Sequence, residues 1–234
     1  MQITQLTFLR FLAASAVVIF HAGRTTRSLS WGDPIWMRAN AAVSFFFLLS
    51  GFILAHVYGR TGIPRSAEFY VARLARIVPL YWLALLAVAL YRWRTHTLHP
   101  QEFVVSVLLL QSWIPGWSQV LNEPSWSLST ELFFYLAFPL LLMKMRHLRA
   151  AALLALATAV WALNLVLYVV LSRVCQAGDH PLLHDFAVYH PLAHLGTFVV
   201  GMALGLLFEQ RKEVLRAYAS PMIVLSWPSS WPCS

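Results

Sequence analysis

Apolar stretches of membrane-crossing length alternate along this 234-residue chain with short segments in which the arginines and prolines collect. Six such stretches stand out: Leu6–Ala22, Ala39–Val57, Ile77–Tyr91, Ser127–Met145, Ala150–Leu171 and Ala193–Phe208. A helix of about 20 apolar residues crosses the hydrocarbon core of a bilayer, and these runs approach or meet that length. A seventh apolar piece, Glu102–Trp117, is broken by Pro115-Gly116 and is expected to be re-entrant or interfacial. Ser220–Ser234 is too short to cross and too rich in Pro and Ser to make a helix. The expected fold is therefore all-α: a polytopic transmembrane helix bundle of about six full spans plus one re-entrant or interfacial helix. The expected division is one membrane domain over residues 1–216 and an irregular tail over 217–234.

Composition agrees with this pattern. Hydrophobic residues make up 59% of the chain and charged residues only 11%, against about 25% charged in soluble domains. The net charge of +8 would suggest nucleic acid in a soluble protein. Here the cations sit between apolar runs, where they set topology and meet anionic lipids or ligands. With the 102–117 piece not crossing and the N-terminus inside, most loop cations fall on the inner side, so both termini are expected in the cytoplasm. No basic segment precedes the first span, and Arg10 interrupts it, so this span is expected to stay rather than to be cleaved as a leader. The two cysteines, Cys175 and Cys233, carry neither a disulfide framework nor a metal-binding spacing.

Ionisable groups within the apolar runs are the candidates for chemistry, because they are costly in hydrocarbon and normally face a pathway or a reaction site. Arg10 and His21 in the first span are eleven residues apart, three helical turns to within about 20°, so they share a face roughly 16 Å apart along the axis. Glu131 is the acid that falls inside an apolar span, within Ser125-Trp-Ser-Leu-Ser-Thr-Glu131-Leu-Phe-Phe-Tyr135. In the expected topology it lies at a depth similar to His21, and a carboxylate–imidazole pair would fix the tautomer and raise the basicity that general-base chemistry needs. Serine and threonine hydroxyls around Glu131 are the alternative partners. Ser50-Gly51 in the second span leaves room for a second backbone or a ligand to approach closely. Arg73 and Arg76, at i and i+3, share a helix face in the inner loop, where their forks suit phosphate as well as lipid headgroups. His180/His184 and His190/His194 have zinc-like spacing, but Pro181 and Pro191 interrupt the run, and no metal site is expected.

Taken in order, four segments resemble one family. They are Arg10-x10-His21, Phe45-Phe-Phe-Leu-Leu-Ser-Gly51-Phe, Phe69-Tyr-x-x-Arg73-x-x-Arg76-Ile-x-Pro79-x-Tyr81 and Ser125-Trp-Ser-Leu-Ser-Thr-Glu131-x-x-Phe-Tyr135. The set is similar to the bacterial membrane-bound acyltransferase 3 family, over about residues 4–145. Ser44 stands where many members carry an acidic residue, and members usually have about ten spans where this chain offers six.

The resemblance implies a carbohydrate O-acyltransferase of the bacterial inner membrane. Its donor is acyl-CoA on the cytoplasmic side, most often acetyl-CoA, used as a co-substrate rather than a bound cofactor. Its acceptor is a hydroxyl of an extracytoplasmic carbohydrate, either at the cell surface or lipid-linked. On that reading His21, oriented by Glu131, takes the acceptor proton. Arg10, Arg73 and Arg76 hold the CoA phosphates, and Ser50-Gly51 gives the pantetheine arm room. A proton-coupled transporter or permease fragment, with Arg10, His21 and Glu131 as a relay, is the alternative, as is an inactive truncated acyltransferase.

Overall fold

The computed structural model describes residues 8, 11–15, 17–18, 39–63, 66–178 and 180–224, and among these it is helical with no strand. Seven α-helices carry labels here: α1 Ala39–Tyr58, α2 Ser66–Arg94, α3 Pro100–Val107, α4 Trp126–Met145, α5 Ala150–Ala177, α6 Pro181–Tyr189 and α7 Pro191–Val224. The described residues 11–15 and 17–18 of the first apolar run are helical as well. Four helical stretches are long and apolar enough to cross a membrane: 67–94, 123–145, 150–175 and 181–211. α1 is a shorter apolar helix whose inward face packs on α7.

Two expected boundaries move. Arg73 and Arg76 do not sit in an inner loop; they belong to α2, a 29-residue helix that starts at Ser66 and passes through Pro79. The arginines dilute the hydropathy of its first turns, but nothing in Glu68–Ile77 breaks a helix. At the other end, the tail expected from residue 217 is helical through Val224, and positions 225–234 lie outside the described residues. Pro221 sits so near the end of α7 that its missing N–H removes little of the helical ladder.

The broken 102–117 piece forms an eight-residue helix, α3, followed by a 3₁₀ turn at Gln111–Trp113. A helix of that length rises only about 12 Å and does not cross a bilayer. Its last carbonyls also accept from α2: Tyr81 Oη donates to Ser106 O at 2.6 Å and Trp82 Nε1 to Val107 O at 3.3 Å. The turn at Pro115-Gly116 is tied to α6 by the Gly116 amide, which donates to Asp185 Oδ2 at 2.7 Å. Gly116 has φ +85°, a left-handed conformation that suits glycine.

The main core lies between α1, α4 and α7. Phe134, Phe138 and Phe198 are fully buried there, with Phe134 and Phe198 stacked at 4.6 Å. α1 and α7 meet backbone to backbone: a Cβ on Gly51 would run into the Phe198 carbonyl, and one on Gly201 into that of Leu48. Near the end of this seam His56 Nδ1 lies 2.6 Å from Glu209 Oε1, and Arg60 Nε 3.5 Å from Oε2. A smaller cluster of Tyr81, Leu85, Leu109 and Leu121 fixes the 108–125 segment to α2.

Candidate functional site

Glu131 lies in the second turn of α4, about 8 Å along the axis from Trp126. Hydrocarbon offers a carboxylate nothing, so its partners must come from the protein. Tyr135, one turn further on, donates its hydroxyl to Glu131 Oε1 at 2.5 Å. Ser50 Oγ of α1 donates to the same oxygen at 3.3 Å. Both bonds end on Oε1; Oε2 takes neither. The sequence places Glu131 and Tyr135 at i and i+4, the spacing at which helical side chains meet, so this partner is legible from spacing alone.

The carboxylate stands at the meeting of two cavities. The larger, about 430 Å³, is lined by Val43, Phe46, Phe47 and Ser50 of α1, Ser127 and Glu131 of α4, Arg76 of α2, and Phe11, Ala14 and Val17 of the first apolar run. The smaller, about 300 Å³, is lined by Arg76, Ile77, Leu80, Tyr81 and Ala84 of α2, Leu128 and Glu131 of α4, and Asn122 of the preceding loop. Glu131 and Arg76 line both. Each volume falls within the range of small-molecule sites, and each has the composition of one, mostly apolar with a few polar groups.

The structure separates the two arginines that the sequence joined. Arg76 lies about 15 Å along α2 from Ser66 and faces the cavities with Glu131. Arg73 is turned to the aromatic core: its guanidinium lies 6.0 Å from the Tyr58 ring and 5.6 Å from the Phe69 ring, and NH2 donates to the Tyr58 hydroxyl at 3.3 Å. It is not among the residues lining either cavity. Gly51 is also corrected. It faces α7, where the Phe198 backbone fills the space it leaves, so the room expected for a ligand is taken by a helix. Ser50, one residue earlier, points to Glu131. Arg10 and His21 lie outside the described residues.

His190 and His194 have packing partners. His190 stacks on Phe186 at 4.5 Å and meets Trp113 edge-on at 5.1 Å. His194 lies 2.9 Å from Val188 O and packs against Phe47 at 5.2 Å. Phe47 is thereby held among Trp126, Phe134 and His194, a fixed wall of the larger cavity.

Two curated relatives extend these observations. Over 226 residues the chain is 31% identical to the acyltransferase MdmB of Streptomyces mycarofaciens, a match covering 89% of this chain and 58% of that protein. It is 32% identical over 130 residues to the exopolysaccharide production protein ExoZ of Rhizobium meliloti (strain 1021), covering 52% of this chain and 38% of that one. The chain thus spans about half the length of these relatives. No solved structure matches it. The family model described as an acyltransferase domain matches residues 3–229, nearly the whole chain, and the protein belongs to the acyltransferase 3 family.

Proposed function

We propose that this chain forms part of a membrane O-acyltransferase that moves an acyl group, acetyl in the simplest case, from cytoplasmic acyl-CoA to a hydroxyl of an extracytoplasmic carbohydrate. The observation that carries the reading is Glu131, a carboxylate held by Ser50 and Tyr135 where two cavities meet beside Arg76. A transfer between two substrates needs one group that both can reach, and membership of an acyltransferase family supplies the reaction class. That membership favours acyl transfer over a transport relay.

The chemistry has four parts. A base takes the proton of the acceptor hydroxyl, and the oxygen attacks the thioester carbonyl. The C–S bond then breaks, and the CoA thiolate leaves and is protonated. His21 is the proposed base, oriented by Glu131 through the oxygen that Tyr135 and Ser50 do not occupy. Positions 10, 14, 17 and 21 are spaced four, three and four apart, the spacing of one helix face, and Ala14 and Val17 line the larger cavity. Arg76 would offset negative charge developing on the carbonyl oxygen, while Arg10 remains the proposed counter-charge for a CoA phosphate. The bacterial inner membrane, with both termini cytoplasmic, is the proposed setting.

Two substitutions in membranes carrying the whole protein test this. Glu131→Gln and His21→Ala should each lower acyl transfer by about a hundredfold or more, the usual scale for a lost acid–base partner. A rate within about twofold of wild type for either variant removes that residue from the chemistry.

A further inference from the structure

The two cavities that meet at Glu131 differ in a way that assigns their occupants. The larger one is built from α1, α4, α2 and the first apolar run, and apart from Arg76 its polar groups are Ser50, Ser127 and Glu131. The smaller one is lined by a neutral polar residue of another kind, Asn122, on the loop that leads into α4. That loop joins the end of α4 remote from Lys144, Arg146 and Arg149, so Asn122 stands towards the less cationic end of the bundle.

Asn122 is held with care by its surroundings. Its N–H donates to Val120 O at 2.7 Å, and its carbonyl accepts from the Ser125 N–H at 3.0 Å and from Ser125 Oγ at 2.6 Å. The residue before it, Leu121, adopts φ +60° although it is not glycine, and it is buried against Tyr81, Leu85 and Leu109. A bulky residue in the left-handed region is strained and persists only where the surroundings over-determine it. Here the strained residue redirects the chain between a buried leucine and a cavity-lining asparagine. Tyr81 also lines this cavity, but its hydroxyl proton is committed to Ser106 O. Asn122 is therefore the neutral donor and acceptor that the smaller cavity offers to a hydroxylated ligand.

We infer that the smaller cavity is the acceptor side of the transfer site, with Asn122 a positioning residue that hydrogen-bonds a neutral hydroxylated ring, and that the larger cavity takes the acylated thiol arm. The inference rests on the acyl-transfer reading for its chemistry. The acyl–sulfur bond breaks, an acyl–oxygen bond forms, and the acceptor proton ends on the departing thiol. The cavities keep donor and acceptor apart until both reach Glu131.

The experiment uses the whole protein in detergent or nanodiscs, with acetyl-CoA as donor and methyl β-glucoside as acceptor probe. Asn122→Ala should raise KM for the glycoside about tenfold, the size of one lost hydrogen bond, while KM for acetyl-CoA and its slow hydrolysis stay within about twofold. A KM change confined to acetyl-CoA, or none for either substrate, overturns the assignment. A second measurement does not require turnover. In a Cys175→Ser, Cys233→Ser background, alkylation of Asn122→Cys by a maleimide should be slowed by the glycoside and not by CoA. Alkylation of Ser50→Cys should be slowed by CoA and not by the glycoside. The reverse pattern, or no protection at either position, overturns the inference. Selective protection without any acyl transfer leaves the two-cavity assignment standing and removes the proposed reaction instead.

Discussion

The two flanks of α1 are made of the same kind of sequence and do opposite things. On one flank Gly51 presents bare backbone to α7, whose Gly201 does the same in return, and the helices close without a gap. On the other flank, Val43, Phe46, Phe47 and Ser50 face a cavity that ends on a carboxylate. The first flank holds the bundle by close packing, which in lipid must replace the hydrophobic drive available in water. The second leaves space unfilled and lets a charge persist there by giving it hydroxyl partners. Neighbouring residues Ser50 and Gly51 thus separate function from packing within one turn of helix.

Breaking the packed flank should have the largest effect. Gly201→Val places a branched side chain against the Leu48 carbonyl, where neither backbone can retreat. The expected cost is about 3 kcal/mol or more, at the upper end of overpacking in a filled core. The readout is the amount of monodisperse protein recovered in detergent and its thermal unfolding. A variant with wild-type yield and melting temperature would mean that the seam is looser than the geometry indicates.

The next comparison sets the two arginines against each other. Arg76→Gln should lower acyl transfer by about a hundredfold, since it removes the cation shared by both cavities beside Glu131. Arg73→Gln should act on stability instead, by about 1–2 kcal/mol through its lost contacts with Tyr58 and Phe69. Transfer rates and melting curves on the same preparations separate the two. Equal losses of activity with unchanged stability would return Arg73 to the ligand-binding group.

The sequence carried the helices and the family well, and the site only in part. Apolar length predicted most elements because hydrocarbon imposes it, and Glu131 stood out because an acid in such a run is costly. The start of α2 was not legible from hydropathy, since Arg73 and Arg76 lower it while leaving helix propensity intact. Their divergence was not legible either: i and i+3 side chains share a face, but which neighbour each meets depends on α1 and α4. Glu209 lies just beyond the last apolar run and its partner His56 is far away in sequence, so no local pattern pairs them. Asn122 carries no sequence signal, because its position depends on a left-handed Leu121 that no local pattern announces.

The smallest expected effect is the most selective test of the cavity flank. Tyr135 is buried, lies one turn from Glu131, and gives it the shorter of its two hydroxyl bonds. Tyr135→Phe keeps the ring and removes only that donor. If the hydroxyl merely satisfied a half-buried acid, its loss would appear as reduced stability with activity following the amount of folded protein. If it fixes Oε1 so that Oε2 can orient a base, the rate per folded molecule should fall by about tenfold, the scale of one hydrogen bond to a charged group. Ser50→Ala removes the longer bond to the same oxygen, and its effect should be smaller in the same direction. The double variant should lose more than the sum of the two, because either hydroxyl alone can still hold Oε1 and only the double variant removes both. Strict additivity in transfer rates would show that the two donors act on different things, and the shared-oxygen arrangement would then have no part in catalysis.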